Sequence, residues 1–578
     1  MRAGLASAFL ACFACGTAGS CSSASNNETG APQQTSSAPD PGPKQETKAQ
    51  FDLFFFGRTL GTIAPCGCTT EPLGGLQYAF GFIERESTKG ARLVVEPGSF
   101  LFPDPNGPNW PGSAPEWDQA NERARALHGS FSSLGDELVS GVGPTDAISP
   151  KGLAPLSEYP LPRTVANVAA DGLKAEAFRI VTLEDRGVTL KVGVTTIVDP
   201  KVPDADKLGA VSDPIAAATD AIKKMREAGA TTTVVLVQGK RKFAERLAHD
   251  VKGIDIAVVG LVLGKDRQRV GTGMTNAGGT FIVEPGEELQ TLTHLTLEVD
   301  PSQAKTPASD TWTVTPSLAQ RKEELARLDA QIAELSANPD AEASFVNRIK
   351  AERERVSKAL ETPAEGVAVA TFEQAKITCK LPANEVAKDK LVAYNAWVAD
   401  GNVKRFTGVK APPAPKGTAS YIGVDECDTC HEEAVEFWQD TPHSSAYQTL
   451  VDTNQQFDLS CVSCHVTGFR KPGGSEVVEN AGLVNVQCEI CHGPGSLHAD
   501  EPDRDGVAVN IIRDSPVDVC GTCHTAEHSD TFEYESYLRD IVGDGHGGGR
   551  RASLGDGPTG SELRAAGLAK AGGACKKM

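Results

Sequence analysis

Eight cysteines and four histidines near the C-terminus carry the clearest chemistry in this sequence. They form the pattern Cys-x-x-Cys-His four times, at Cys427, Cys430 and His431, at Cys461, Cys464 and His465, at Cys488, Cys491 and His492, and at Cys520, Cys523 and His524. The pattern is typical of c-type haem attachment. Two thiols one helical turn apart can add across the two vinyl groups of one porphyrin, and the adjacent histidine becomes the proximal iron ligand.

Cys-x-x-Cys pairs also occur in zinc knuckles, redox dithiols and disulfides. A zinc site does not require a histidine directly after each pair, whereas all four pairs here have one. The spacing therefore favours four covalently bound haem c groups over zinc.

The other histidines fit the same interpretation. Eight of the eleven histidines lie between residues 427 and 546, and the four that are not proximal are His443, His498, His528 and His546. Four haems with two axial ligands each need eight histidines, so these four are candidate distal ligands. A bis-histidine iron has no open position, which suits electron transfer. For any one of them a surface histidine is the alternative, and the sequence leaves open which distal histidine serves which haem.

The residues around these motifs resemble the tetrahaem cytochrome c-554 family. The resemblance is carried by Thr441–Tyr447, by Cys488–His498 and by the histidines up to His546, and it covers about residues 420–549. It implies a compact, mostly helical and loop-rich fold around stacked haems, and a role in multihaem electron transfer. One haem iron in that family can be five-coordinate, so His528 or His546 need not reach iron.

Length and charge limit the remaining possibilities. A chain of 578 residues predicts more than one domain. The net charge of −20 argues against nucleic acid as a partner and favours basic partners. Fifteen cysteines, of which eight are in the motifs, indicate a compartment outside the cytosol.

The N-terminus predicts export. Arg2 precedes an apolar stretch from residue 3 to 18 that is short for a membrane span and typical of a signal peptide. It ends in a sequence that resembles a bacterial lipobox, with cleavage after residue 20 and lipid on Cys21. A competing lipobox ends at Cys12. An ordinary signal peptide is the alternative to both. Residues 21–50 are a polar, disordered tether. The lipid would anchor a periplasmic protein to a membrane, and Ser22, in place of the Asp that resembles a retention signal, favours the outer membrane.

Residues 51–300 predict α/β layers, because apolar runs typical of buried strands alternate with helical stretches such as residues 213–228. Their order resembles the N-terminal domain of the 5′-nucleotidase-like metallophosphoesterases. Four pieces carry the resemblance: residues 61–76, 94–98, 166–168 and 253–260.

The metal-binding motifs of that family are altered here. Its initial Asp-x-His-Gly corresponds to residues 58–61 (Arg-Thr-Leu-Gly), its Asp-x-Gly-Asp to residues 96–99 (Glu-Pro-Gly-Ser) and its last Gly-His-x-His to residues 260–263 (Gly-Leu-Val-Leu). Asn-His-Glu is absent from the sequence, and Gln238 stands where a histidine is expected. Two metal ions need several converging carboxylates and imidazoles. We therefore predict a domain without phosphoesterase activity that acts as a scaffold or docking surface.

The rest of the chain connects these two parts. Apolar stripes predict a helical hairpin over residues 317–361, interpreted as a spacer with a dimer contact as the alternative. Residues 366–410 are a small connecting segment with a helix near residues 392–398, residues 411–549 hold the haem motifs after a stiff Pro-rich linker, and residues 550–578 are a Gly-rich tail. Four further cysteines predict disulfides of Cys66 or Cys68 with Cys379 or Cys575, and a redox-active pair is the alternative.

Together these features predict an exported multihaem cytochrome c that passes electrons through four haems to redox partner proteins. An oxidoreductase that acts on a small nitrogen or sulfur compound at a five-coordinate haem is the main alternative. A third possibility is that the N-terminal domain binds a nucleotide or metal and the haems act as sensors.

Overall fold

The computed structural model describes residues 48–578, except 66–68, 88–89, 106–110, 261–272, 339–340, 362–363, 505–506, 509, 526–527, 574 and 576–578. The predicted signal peptide and Cys21, most of the tether, and Cys66 and Cys68 therefore lie outside the described residues.

The described residues of 48–376 form an α/β domain that contains two six-stranded sheets and one two-stranded sheet. Its strands are β1 (Ala49–Phe55), β2 (Ala91–Glu96), β3 (Leu138–Ser140), β4 (Val168–Ala169), β5 (Arg179–Asp185), β6 (Val188–Val198), β7 (Ala210–Val211), β8 (Thr232–Gln238), β9 (Ile256–Val259), β10 (Gly273–Ala277), β11 (Thr280–Glu284), β12 (Thr291–Val299), β13 (Trp312–Pro316) and β14 (Ala368–Lys376). Its helices are α1 (Leu76–Glu86), α2 (Ala114–Phe131), α3 (Ala154–Glu158), α4 (Pro214–Glu227), α5 (Arg241–Asp250), α6 (Leu318–Ala337) and α7 (Ala343–Glu361).

The strand order is β13-β14-β12-β1-β2-β3 in the first sheet and β10-β11-β9-β8-β6-β5 in the second. β1, β2 and β3 pair in parallel, as do β6, β8, β9 and β11, while β12 runs antiparallel to β1 and β14. The apolar runs that predicted buried strands in this region lie in these sheets.

The sheets pack face to face with helices on both outer sides. Side chains alternate across a strand, so Phe51, Leu53 and Phe55 of β1 join the core between the sheets, whereas Phe54 and Phe56 join the core under α1 and α2. A third core lies between the second sheet and α4 and α5. The result is the layered α/β architecture that the sequence predicts.

The helical hairpin is confirmed, but its place differs from the spacer interpretation. Ser317 caps α6 by accepting a hydrogen bond from Gln320 N at 3.1 Å, whereas the Gln320 side chain accepts from Gln374 N of β14 and does not complete a capping box. β13 and β14, on either side of the hairpin, pair in parallel in the first sheet. The hairpin is thus an insertion within the α/β domain, and that domain continues past residue 300.

The second half of the chain is helical and rich in loops, as predicted. Its elements are α8 (Glu385–Phe406), α9 (Val424–Gln439), α10 (Ala446–Val451), α11 (Val462–His465), α12 (Cys488–His492), α13 (Ser496–Asp500), β15 (Asp503–Arg504), β16 (Val507–Ala508), α14 (Val517–Gly521), α15 (Tyr534–Ile541), α16 (Gly548–Ser553) and α17 (Gly560–Lys570). We call residues 411–549 the haem domain and residues 550–578 the tail. Among the described residues, no helix combines the length and apolarity needed to cross a bilayer.

Helix α8 and the tail join the two parts. Leu391, Tyr394 and Val398 of α8 are buried in the core of the first sheet, whereas Phe406 at its end joins an apolar cluster of the haem domain. Cys379 forms a disulfide with Cys575 of the tail. The predicted pairing of Cys379 or Cys575 with the Cys66–Cys68 loop is therefore wrong, because these two residues pair with each other.

Candidate haem-binding site

Short helical segments carry the four Cys-x-x-Cys-His motifs. The first motif lies in α9, with a break in helical geometry at His431 (φ −127°, ψ 41°). The second ends in α11, the third is α12 and the fourth begins at the end of α14. Residues three apart lie on the same side of a helical turn, so the local fold directs both thiols of a motif to one side.

Hydrogen bonds fix the proximal imidazoles in a form that can bind a metal. Nδ1 of His465 lies 2.6 Å from the Ala446 carbonyl oxygen, and Nδ1 of His492 lies 2.7 Å from the Ile512 carbonyl oxygen. Because a carbonyl oxygen only accepts, Nδ1 carries the proton and Nε2 keeps its lone pair. This is the usual outer hydrogen bond of a metal-bound histidine.

Two pairs of histidines face each other across a gap of the size of a metal site. The ring centres of His431 and His498 are 6.2 Å apart with 18° between the planes, and those of His443 and His524 are also 6.2 Å apart, with 51° between the planes. Imidazoles bound to opposite sides of one metal through bonds of about 2 Å have centres roughly 6 Å apart. Each pair joins a predicted proximal histidine to a predicted distal one.

The remaining four histidines are also neighbours in pairs. Burial lowers the pKa of His465, and the nearby charge of His528 lowers it further. Burial likewise lowers the pKa of His546, and His492 is among the charges that add to this effect. His528 is thus an electrostatic neighbour of His465, and His546 is an electrostatic neighbour of both His492 and His431.

A lowered pKa favours the neutral imidazole, which is the ligating form, and burial lowers the pKa of four of these histidines: His443, His465, His524 and His546. The strongest case is His443, where burial and then the charge of His524 lower the pKa to about 4. Burial also lowers the pKa of His524.

Thiols of different motifs lie next to each other. Cys427 of the first motif shares a hydrogen bond with Cys488 of the third, and Cys464 of the second shares one with Cys523 of the fourth. Burial, followed by the charge of Cys520, raises the pKa of Cys491 to about 11, which places the third motif beside the fourth. These contacts arrange the motifs in the spatial order first, third, fourth, second.

The comparisons with known proteins agree with this site. The family described as cytochrome c554 and c-prime matches residues 426–493, which hold the first three motifs. Cytochrome c-554 of Nitrosomonas europaea is 31% identical over 106 residues, or 16% of this chain and 45% of that protein, so the chain spans less than half of this relative.

The C-terminal region matches the cytochrome c554 family. Residues 426–493, with the first three motifs, are thus similar in sequence to a family of c-type cytochromes.

Solved structures similar to much of the chain contain phosphoesterase-type domains. A 5′-nucleotidase precursor from Thermus thermophilus is 16% identical with a TM-score of 0.38, covering 63% of this chain and 61% of that one. The Thermus thermophilus sulfate thiohydrolase SoxB, in complex with glycerol, is 13% identical with a TM-score of 0.39, covering 64% of this chain and 70% of that one.

A cavity of about 850 Å³ lies beside the loop that carries His546 in the cytochrome region. It is lined by Glu433 of α9, by Arg551 and Ala552 of α16, and by Gly543, Asp544, Gly545, Gly547, Gly555 and Asp556. Cofactor sites usually have volumes of roughly 300–1,000 Å³. The volume of this cavity lies within that range.

In the α/β domain, hydrogen bonds within the protein occupy the polar groups at residues 96–101 and 238, the positions that the sequence analysis matched to altered metal motifs. Asp146 accepts hydrogen bonds from the backbone N–H groups of Ser99, Phe100, Leu101 and Gly143 at 2.7–3.0 Å. Ser99 donates to Gln238 Oε1 at 2.9 Å, and Gln238 Nε2 donates to the Pro97 carbonyl oxygen at 2.6 Å. Within the described residues, no group of three His, Cys, Asp or Glu side chains is placed to hold a metal ion.

Two buried charged groups belong to this region. Burial, and next the charge of Asp146, raise the pKa of Glu96 to about 8, although Glu96 accepts from Ser140 Oγ at 2.9 Å and Gly98 N at 3.0 Å. The buried Arg58 pairs with Glu287 at 2.8 Å. This ion pair compensates the charge that Arg58 brings to the first altered motif.

Proposed function

We propose that this protein is an exported electron carrier with four haem c groups, each bound by two cysteines and two histidines. The observation that carries the proposal is the 6.2 Å spacing of the facing imidazole pairs His431/His498 and His443/His524. The electrostatic neighbours complete the assignment with His465/His528 and His492/His546. When bound, haem c supplies one-electron chemistry to such a site.

The protein's own residues serve a carrier in three ways. The paired cysteines would fix each porphyrin covalently, and two neutral histidines would close both axial positions of each iron. The carbonyl groups of Ala446 and Ile512 orient His465 and His492 by accepting their Nδ1 protons. Histidines held rigidly in this way would need little reorganisation when the charge of a bound haem changes.

The order of the motifs supports a relay. Interacting thiols link the first motif to the third, the third to the fourth and the fourth to the second, so these cysteines would hold haem groups at neighbouring motifs, where one-electron transfer could pass between them. The first and second motifs lie at the two ends of this series of motifs. We assign the entry and exit of electrons to these ends.

We further propose that the α/β domain has no phosphoesterase activity. Internal hydrogen bonds already satisfy Asp146, Ser99 and Gln238, and a Cβ atom at Gly143 would clash with Ser99 Oγ. A metal pair and a substrate phosphate would have to displace this network. The domain then serves as a scaffold for the cytochrome.

The proposed partners are basic redox proteins that meet the lipid-anchored protein at a bacterial membrane. Helix α9, which carries the first motif, contains no lysine or arginine. Its exposed residues include Asp425, Glu426, Asp428, Glu432, Glu433 and Glu436. Opposite charge on a partner would speed their encounter in a salt-dependent way. The anchor at Cys21 and the outer-membrane location are proposed from the sequence.

An oxidoreductase with one open haem iron is the second candidate. The rings of His431 and His498 face each other. In the described residues, His465 and His528 have no such ring contact, and their link is the effect of His528 on the pKa of His465. If His528 does not reach iron, the second haem has an open position for a small ligand.

Electron paramagnetic resonance of the oxidised, haem-loaded full-length protein separates the two candidates. The carrier predicts only low-spin ferric signals in the wild type. Replacing the sixth ligand in His528→Ala should convert one haem to high spin, whereas His249→Ala, which removes an exposed histidine of the α/β domain, should not. A stoichiometric high-spin signal in the wild type would overturn the four bis-histidine sites and favour the oxidoreductase.

A further inference from the structure

Two polar contacts connect the α/β domain to the haem domain, one near the segment that carries His465 and one near the segment that carries His528. The first contact begins in α2, where the buried Gln119 donates from Nε2 to Asp458 Oδ1 at 2.5 Å and accepts at Oε1 from Leu459 N at 3.3 Å. Tyr394 of α8 donates to the other Asp458 oxygen at 3.3 Å. Gln119 and Tyr394 thus hold both oxygens of one carboxylate in the haem domain.

Asp458 in turn starts the segment that carries the second haem motif. Its carbonyl oxygen accepts from Cys461 N at 3.0 Å and from Val462 N at 2.9 Å, and its side chain accepts from Ser460 N at 2.8 Å. The turn continues into α11, which ends at His465. A displacement of Asp458 would therefore be passed to the cysteines and the histidine of this motif.

The second contact lies in the segment that carries His528, the candidate distal ligand that we pair with His465. Thr70 donates from its backbone N to Asp530 Oδ1 at 3.0 Å and from Oγ1 to Oδ2 at 2.6 Å. Asp530 follows His528 by two residues, and Ser529 between them is hydrogen-bonded to His524 Nδ1 at 3.0 Å. Thr70 is 5% exposed and packs against Gly567 of the tail. The α/β domain thus holds the segment of the distal histidine as well.

These hydrogen bonds fix the position of Asp458, and so do more than hold the two domains together. Asp458 is 5% exposed and Gln119 is 1% exposed. A buried carboxylate is costly unless donors satisfy it, so the position of Asp458 is tied to the positions of those donors. Leu459 and Val462, which follow Asp458, pack in an apolar cluster with Phe406 of α8.

We infer that the α/β domain positions the ligands of the second haem. In this inference, which rests on the proposed function, Gln119 and Thr70 are positioning residues that hold His465 and His528 at the separation of a bis-histidine pair. The two histidines belong to different segments of the chain, with the third and fourth motifs between them, so their separation depends on a common support. A ligand held loosely, by even about 1 Å, changes the properties of a metal site.

The test uses the oxidised, haem-loaded full-length protein and single substitutions at both contacts. Gln119→Leu and Thr70→Val each remove side-chain hydrogen bonds with little change in volume. Each should raise the high-spin ferric signal of one haem per chain at least several-fold over the wild-type baseline, and the double variant should raise it further. The midpoint potential of one haem should shift while the others keep theirs.

Two variants serve as controls. Thr70→Ser retains the hydroxyl and should restore the wild-type spectrum. Asp118→Asn lies beside Gln119 on α2 but removes an exposed ion pair with Arg405 of α8, so it should leave all haems unchanged. Haem content and circular dichroism show that each variant is folded and loaded.

The outcomes separate this inference from the proposed function. If the wild type is fully low-spin and the contact variants lower thermal stability while their haem spectra and potentials match the wild type, the α/β domain only adheres to the haem domain and the inference is wrong. A stoichiometric high-spin signal in the wild type would overturn the four bis-histidine sites. If that signal is the same in His528→Ala, His528 is not a ligand and this inference fails as well. If His528→Ala adds a second high-spin haem, His528 is a ligand and only the proposed function fails.

Discussion

The buried carboxyl group of Glu96 should make the stability of the α/β domain depend on pH. Burial, and next the charge of Asp146, raise the pKa of Glu96 from 4.5 to about 8. The folded protein therefore holds a proton on Glu96 at pH values where the unfolded chain has lost it. Unfolding then releases a proton, and stability falls as the pH rises from about 4.5 to about 8.

The substitution Glu96→Gln removes this titration and keeps the hydrogen bonds. Its amide can accept from Gly98 N and donate to Ser140 Oγ, the two groups that contact Glu96. A pKa rise of this size corresponds to roughly 5 kcal/mol at most, at about 1.4 kcal/mol per unit. We expect variant and wild type to have similar stability at low pH and the variant to be clearly more stable above pH 8.

Thermal unfolding followed by circular dichroism across the pH range from about 5 to about 9, which brackets the titration of Glu96, measures this difference. The Tm gap between Glu96→Gln and the wild type should widen by at least about 5 °C, since 1 kcal/mol shifts Tm by about 2–4 °C in a domain of this size. Glu176→Gln, at a largely exposed carboxylate paired with Arg179, should show no such widening. Parallel pH profiles for Glu96→Gln and the wild type would show that Glu96 is ionised in the folded state and would refute the reasoning.

Three further predictions concern the tail, the acidic helix and the former metal region. Cys575→Ser removes the disulfide to Cys379, which spans 196 residues and contributes about 4–5 kcal/mol to stability in the chain-entropy picture. The Tm should therefore fall, and trypsin should cleave the tail faster. An unchanged digestion pattern would contradict this prediction. Replacing Glu432, Glu433 and Glu436 of α9 by glutamine should slow electron transfer to a small basic cytochrome at low salt and flatten its salt dependence, and equal rates would exclude α9 as the docking face. The full-length protein with millimolar Mn²⁺ should hydrolyse neither 5′-AMP nor bis(p-nitrophenyl) phosphate, and metal-dependent turnover would disprove the loss of the phosphoesterase site.

Local patterns were enough to predict most elements of the fold. Asp213 and Gly229 bound helix α4 as expected, because the Asp213 side chain accepts from Ala216 N at 2.7 Å and Gly229 has a φ of 89°. The apolar runs of the sheets could be identified because burial on both faces leaves a continuous hydrophobic signal. The four motifs could be identified because their chemistry is contained in five consecutive residues.

Features that depend on distant contacts were not predicted from the sequence. The return of β14 to the first sheet after the hairpin depends on its register with β12, and the Cys379–Cys575 disulfide depends on where the tail docks. The tail does carry one local signal that was missed. Thr559 and Glu562 form a capping box at the start of α17, so a helix could have been expected in a segment described only as Gly-rich.

The distal histidines show the same difference between what local sequence predicts and what distant contacts decide. The number of histidines matched the number of open axial positions, but His443 lies far ahead of its neighbour His524 in the sequence, with two other motifs in between. Only the tertiary fold brings these two histidines together. The sequence therefore supplied the ligand types, and the tertiary structure supplies their partners.

The positions of the interdomain contacts bear on why a domain with an altered metal region is kept. A scaffold that only enlarged the protein could touch the haem domain anywhere on its surface. Instead, Gln119 binds the residue that begins the turn into the second motif, and Thr70 binds the segment just after His528. Asp146 still organises the backbone of Ser99–Leu101 in the α/β domain, although the metal ligands around it are changed. The α/β domain thus keeps an ordered backbone near Asp146, and we propose that its contacts position the second haem site. In the described part of the chain, the two histidines proposed for that site, His465 and His528, have no facing-ring contact with each other.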